Sequence, residues 1–202
     1  MTVLTSESDL RDCYDQPSEL VQKKILSRLD KHARAFIALS PFAVLATCGP
    51  DGSDASPRGD APGFVQVVDD VTLLLPDRRG NNLIDSLRNV VASPDVGLLF
   101  LVPGINETLR VNGTAKVIAD AEKLQSLTAQ GKVPTSALEI SVREVYFHCG
   151  KALIRSDLWN PQKHIARENF PTLGRIIADQ VAGLDAEAAD ANLQESYRSR
   201  LY

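Results

Sequence analysis

A chain of 202 residues with 44% hydrophobic and 24% charged residues carries enough apolar side chain for one packed domain, which excludes wholesale disorder. Its 22 basic and 26 acidic residues leave a net charge of −4, which argues against a general binder of nucleic acid or of anionic membrane. Cys13, Cys48 and Cys149 are widely spaced and form no CxxC pair, the pattern of free thiols in a reducing compartment.

Residues 1–16 are polar and read as an arm, without the basic segment and apolar core of a signal peptide. No apolar run approaches the roughly 20 residues of a membrane helix, so the expected location is cytoplasmic. From Pro17 a helical pattern places Leu20, Val21, Ile25 and Leu29 near one face. A second helix is predicted over Lys31–Ala38, with Ala35, Phe36 and Leu39 inward, ending before Pro41.

From Phe42 the pattern changes to strands. Phe42–Cys48 is short, apolar and rich in small or branched residues, and Gly49, Pro50, Asp51 and Gly52 form a turn. The returning segment, Ser53–Val68, is interrupted by Pro57, Gly59, Pro62 and Gly63. Further strands are predicted at Val71–Leu75, Val96–Val102, Thr108–Ile118 and Ala137–His148, with a bulge at Gly113 and a bend between Val142 and Val145. Helices are expected at about Asn82–Asn89 and Ala121–Thr128, and the chain after Gly150 reads as helical and polar, with Asp185 as an N-cap. About six strands at short spacing, without regular strand–helix alternation, predict a mainly β, α+β fold: an antiparallel barrel with flanking helices. The division expected is an arm with covering helices over 1–39, the barrel over 40–160 and a helical extension over 161–202.

The sequence offers little for metal, hydrolase or dinucleotide chemistry. His32, His148 and His164 lack HExxH or HxH spacing, and GxSxG and GxGxxG are both absent. A distributed polar set remains. Arg78, Arg79, Gly80, Asn81 and Asn82 sit at a strand-to-helix corner, where guanidinium forks, a glycine and helix N–H groups suit a phosphate. Ser56, Pro57, Arg58 and Gly59 lie on an irregular strand, Thr108 and Arg110 on another, and Lys151, Arg155 and Trp159 follow the last strand. Each alone fits a surface or ion-pair role equally well; together they suit a phosphorylated aromatic ligand.

The runs SPFAVLATCGPDGSDASPRGDAPGFV, LLLPDRRGNNLIDSLRNVVASPDVGLLFLVPG, TLRVNGTAKV and YFHCGKALIRSDLW resemble the pyridoxamine 5'-phosphate oxidase-like, FMN-binding split-barrel proteins, in particular a bacterial subgroup with SPRGD and PDRRGNN motifs. The resemblance covers about Ser40–Trp159. It implies a six-stranded split barrel and a homodimer with FMN at the subunit interface. It further implies that Arg78 and Arg79 bind the FMN phosphate with Asn81 and Asn82 nearby, that Ser56–Gly59 meets the ring and ribityl chain, and that Thr108 and Arg110 reach the flavin of the other subunit. After Trp159 the chain departs from the Trp- and Arg-containing signature of authentic pyridoxamine phosphate oxidases.

The expected function is that of an FMN-dependent oxidoreductase acting on a small molecule, with no nucleic-acid or membrane partner. Two alternatives stand beside it: a non-catalytic flavin-binding or sensing protein, and a split barrel holding haem or the deazaflavin F420. Haem would draw an axial ligand from His148 or His164.

Overall fold

The computed structural model describes residues 3–202. Three helices precede the sheet: α1 (Glu7–Cys13), α2 (Glu19–Lys23) and α3 (Lys31–Leu39). Each opens on a side-chain cap, from Ser6, Ser18 and Asp30 respectively, and Ser6 with Asp9 completes a capping box that turns part of the expected arm into a helix. The helical pattern through Leu29 is cut short at Lys23, because Leu26 leaves the helix to pair with Val145 (Leu26 N to Val145 O 3.0 Å, Val145 N to Leu26 O 2.8 Å). Leu20, Val21 and Ile25 consequently stay exposed while Leu29 is buried. On α3 the buried residues are Ala33, Phe36 and Ile37, with Ala35 and Leu39 turned outward, so the inward stripe differs from the predicted one.

The strands are β1 (Phe42–Gly49), β2 (Gly52–Gly59), β3 (Gln66–Val67), β4 (Thr72–Pro76), β5 (Asp95–Leu101), β6 (Thr108–Ile118) and β7 (Ala137–His148). Helix α4 (Asp85–Ala92) joins β4 to β5, and α5 (Ala121–Ser126) joins β6 to β7. Every pairing is antiparallel, in the order β2-β1-β5-β6-β7-β4-β3. Among the described residues the sheet therefore has seven strands where six are expected, the extra one being the two-residue β3 hidden in the Pro- and Gly-broken segment. It is also not a closed ladder: β2 and β3 remain as edges, and the curled sheet is a split barrel around one core shared with α3.

Alternation along the strands gives the sheet two chemically distinct faces. One lateral row runs Ala43, Phe100, Leu109, Phe147 and is the core side, where Phe36 of α3 meets Phe147 edge to face at 5.4 Å. The adjacent row runs Val44, Leu99, Arg110, Tyr146 on the opposite, outer side. Parity between β6 and β7 is reset once, where Asn112 pairs with Glu144 but Gly113 pairs with Val142, leaving Arg143 as the extra residue. The bulge predicted at Gly113 and the bend predicted in β7 are this one feature.

After β7 come α6 (Lys151–Ser156), two 3₁₀ turns (Pro161–Lys163 and Arg167–Asn169), α7 (Leu173–Gln180) and α8 (Ala186–Ser199), so the region expected to be continuously helical is broken between Asp157 and Thr172. Asp185 caps α8 as expected, and Asp190 of α8 accepts from the Gly174 N–H at 2.8 Å and the Thr172 hydroxyl, fixing α7 against α8. Among the described residues, no helix is long and apolar enough to cross a membrane.

Gly113 is the residue the bulge depends on, since a Cβ there would lie 2.0 Å from the Ser141 carbonyl oxygen. Gly113→Ala should lower stability by about 2–3 kcal/mol in denaturant unfolding; an unchanged midpoint would contradict this close approach.

Candidate functional site

Alternate residues of β2, Asp54, Ser56 and Arg58, stand opposite Thr47, Leu45 and Ala43 of β1 and so share the core side of the sheet. The first turn of α4 brings Ser86, which is 2% exposed, against them. Its hydroxyl accepts from Arg58 Nη2 at 3.0 Å and donates to Asp54 Oδ2 at 3.1 Å, while Ser56 Oγ donates to the same carboxylate oxygen at 2.9 Å. Arg58 Nη1 donates to the carbonyl of Pro57 at 2.9 Å. A guanidinium carries five N–H donors, so Arg58 keeps donor capacity after these bonds. Burial pulls its pKa down, opposed by Asp77 and Asp54; burial likewise pushes Asp77 up, opposed by Arg58. The spare donors of this partly desolvated guanidinium can take a further acceptor, with Asp54 and Asp77 already balancing its charge.

Helix α4 starts three residues later than predicted, because Asn82 (φ 62°) and Ile84 (φ 52°) are left-handed. For a β-branched residue such as Ile84 that conformation is strained. Ile84 occupies the N-cap without a side-chain hydrogen bond, so the first N–H groups of α4 have no side-chain cap beside Ser86.

The two corner arginines separate. Arg78 turns inward: Nε donates to Asp60 Oδ2 at 2.6 Å, Nη1 donates to the Leu127 carbonyl at 2.8 Å, and the side chain is 19% exposed against 3% for Asp60. Tyr202 completes the cluster by donating its hydroxyl to Asp60 Oδ1 at 2.6 Å, with its ring 5.9 Å from the Arg78 guanidinium. Burial raises the Asp60 carboxyl, but the hydrogen bonds from Tyr202, the Ala61 N–H and Arg78 outweigh it and hold the group below the usual carboxylate range. Arg79, Asn81 and Asn82 are exposed, and Asn81 accepts from the Leu83 N–H at 3.0 Å.

Thr108 and Arg110 lie elsewhere, on the outer face, directly opposite His148 and Tyr146. Arg110 Nη1 bonds the Tyr146 hydroxyl at 3.0 Å, and its guanidinium stands 5.6 Å from the ring. The His148 ring is 4.9 Å from the same ring, and Lys24 Nζ lies 5.7 Å from it. Lys151 and Arg155 are exposed on α6. Trp159 donates its indole N–H to the Ile105 carbonyl at 2.9 Å.

The chain thus brings Ser56 and Arg58 together with α4, places Arg79 at the open corner, and sets Thr108 and Arg110 on the other face. Sequence reasoning places Asp77 at the corner but missed Asp54, Asp60, Ser86, Tyr146 and Tyr202 as members of these clusters. The alternation Asp54, Ser56, Arg58 could have pointed to Asp54, whereas nothing local points to a contact between Asp60 and Tyr202, 142 residues apart.

Asp60→Asn should cost about 2–4 kcal/mol, because it leaves the Arg78 charge mostly buried without its partner, while Tyr202→Phe should cost about 1 kcal/mol. The Asp60 contribution is present above the unfolded carboxyl pKa of about 4 and is lost as pH falls through the lower folded value. Stability measured against pH should therefore show a shallower acid limb in Asp60→Asn than in the parent; identical limbs would contradict the assignment.

A family model described as pyridoxamine 5'-phosphate oxidase matches residues 29–149. A search of curated proteins gives no match. Among solved structures, Group A Streptococcus HupZ is 18% identical, with 58% of this chain and 91% of that chain covered at a TM-score of 0.49. An FMN-binding protein from Syntrophomonas wolfei is 12% identical, with 58% and 84% covered at 0.46. A NimC/NimA family protein from Clostridium acetobutylicum is 16% identical, with 60% and 88% covered at 0.42. The assignment rests on the family match, which spans more than half of the 202 residues: the chain belongs to the pyridoxamine 5'-phosphate oxidase family.

Proposed function

We propose that this protein binds FMN between two copies of the chain and works as an oxidoreductase on a small molecule. The observation that carries the reading is the division of donors between two faces. Arg58, Ser86 and the uncapped start of α4 lie on the core side with Arg79 at the neighbouring corner, and Thr108 and Arg110 lie on the outer side. One copy cannot wrap both sets around one ligand, whereas the core-side donors of one copy and the outer face of another can. Next to Arg110 the outer face offers half-buried Val44, Leu99 and Leu101, a flat apolar strip suited to a ring or a second copy. Family membership supports the same cofactor.

In this assignment Arg79, Asn81 and the first N–H groups of α4 hold the phosphate. Arg78 supports the corner from within through Asp60. Arg58 supplies positive charge toward the ring, favouring the anionic reduced form. Bound FMN supplies the electron-transfer chemistry, and the protein contributes orientation, exclusion of water and electrostatics. The departure after Trp159 from the Trp- and Arg-containing signature supports a substrate other than pyridoxamine 5'-phosphate.

Titrating the purified protein with FMN should give one tightly bound flavin per chain, with a band near ~450 nm. Arg58→Ala should weaken binding by about tenfold or more, as loss of a charge-assisted contact does, or lower the midpoint potential. FMN should also shift any monomer–dimer equilibrium toward the dimer by linkage. No flavin affinity would overturn the reading.

A further inference from the structure

We propose that Arg110, His148 and Lys24, grouped around the Tyr146 ring, form an oxyanion site on the outer face that holds the carboxylate or phosphate of the small molecule acted on; its assignment to a substrate rests on the flavin reading, with Arg110, which has donors to spare, meeting both the flavin and the anion beside it. The three residues come from three places, β6, the end of β7 and the segment after α2, and converge on one aromatic ring.

Among the described residues, none of the three forms an ion pair with an acidic side chain. The hydrogen bond made by the Arg110 side chain goes to a neutral phenol. Lys24 Nζ donates to the Phe147 carbonyl at 2.8 Å, which holds the ammonium beside Tyr146 without neutralising it. Two carboxylates stand nearby without forming an ion pair with any of the three: Glu144, two residues before Tyr146, accepts from the Asn112 amide at 2.6 Å, and Asp30, which lines the same cavity as Lys24, accepts the first N–H groups of α3.

His148 Nε2 is the one buried side-chain nitrogen or oxygen among the described residues that has no hydrogen-bond partner. A buried polar atom left in this state costs free energy, and such atoms are rare in folded proteins. Burial, followed by the Arg110 and Lys24 charges, lowers the His148 pKa, so the ring is neutral near pH 7. In a protein of net charge −4, a guanidinium and an ammonium without an ion-pair partner flanking an unsatisfied imidazole form a cationic cluster. An oxyanion supplies what all three lack: counter-charge for Arg110 and Lys24, and an acceptor for the Nε2 proton that the ring takes up as the anion binds.

The test uses the full chain, without and with FMN, and titrates inorganic phosphate and, separately, benzoate while following the His148 ring signals by NMR. A saturable shift of those signals with either probe, in both forms of the protein, is the expected result, accompanied by a rise in the His148 pKa. Arg110→Gln and Lys24→Gln should each weaken the bound probe, Arg110→Gln by about tenfold or more. A response to phosphate alone identifies the anion as a phosphate, and a response to benzoate alone as a carboxylate. Absence of any shift, a shift unaffected by Arg110→Gln, or loss of the shift through competition with FMN would each overturn the site. The wild-type titration stands even if a variant fails to fold. A chain that binds no FMN but still responds at His148 would remove the flavin reading and keep the oxyanion site.

Discussion

The pairing of β6 with β7 is the constraint on which the other features depend. Every residue from Thr108 to Ile118 is paired across it, and the register decides which side chains enter the core. Before the bulge, Leu109, Val111, Val145 and Phe147 face inward, which leaves Thr108, Arg110, Tyr146 and His148 on the other side. A one-residue slip would exchange these sets, burying an arginine and exposing the core. The single bulge at Gly113 lets β7 change parity, so that Ile140 and Leu138 still point inward further along. The geometry of the fold and the separation of the two polar clusters therefore have the same origin.

A second tie holds the corner at the end of β4. Arg78, Asp60 and Tyr202 join the loop after β2, the corner before α4 and the C-terminal segment through hydrogen bonds of 2.6 Å. Mostly buried charge pairs are kept when their remaining donors and acceptors are also satisfied, and here the Leu127 carbonyl and the Tyr202 hydroxyl do that. This frees Arg79, adjacent in sequence but exposed, for a role at the surface. The motif PDRRG thus combines an internal brace with an outward-facing cation.

Much of the barrel was legible because strand alternation is a local signal. Thr108–Ile118 and Ala137–His148 match the predicted strands residue for residue, including the bulge. The misses arose where tertiary contacts overrode local pattern. Leu26 abandons a helical run to pair with Val145, and left-handed Asn82 and Ile84 delay α4. The two-residue β3 is too short to leave a periodic trace. Some members of the two polar clusters, Arg58 and Arg110 among them, were also readable, but their grouping was not. Which face each occupies depends on register, and Ser86, Tyr146 and Tyr202 join their clusters through contacts distant in sequence.

The central claim is that one flavin site needs the core side of one copy and the outer face of another. Complementation between two inactive variants tests it most directly. Arg58→Ala and Arg110→Ala homodimers should each bind FMN poorly, since each lacks one half of every site. Mixing them under conditions that exchange subunits should restore tight binding in about a quarter of the sites, because half of the dimers are mixed and each of those carries one site with both halves intact. A mixture that binds FMN no better than its parents, although subunits exchange, would contradict a site shared between copies.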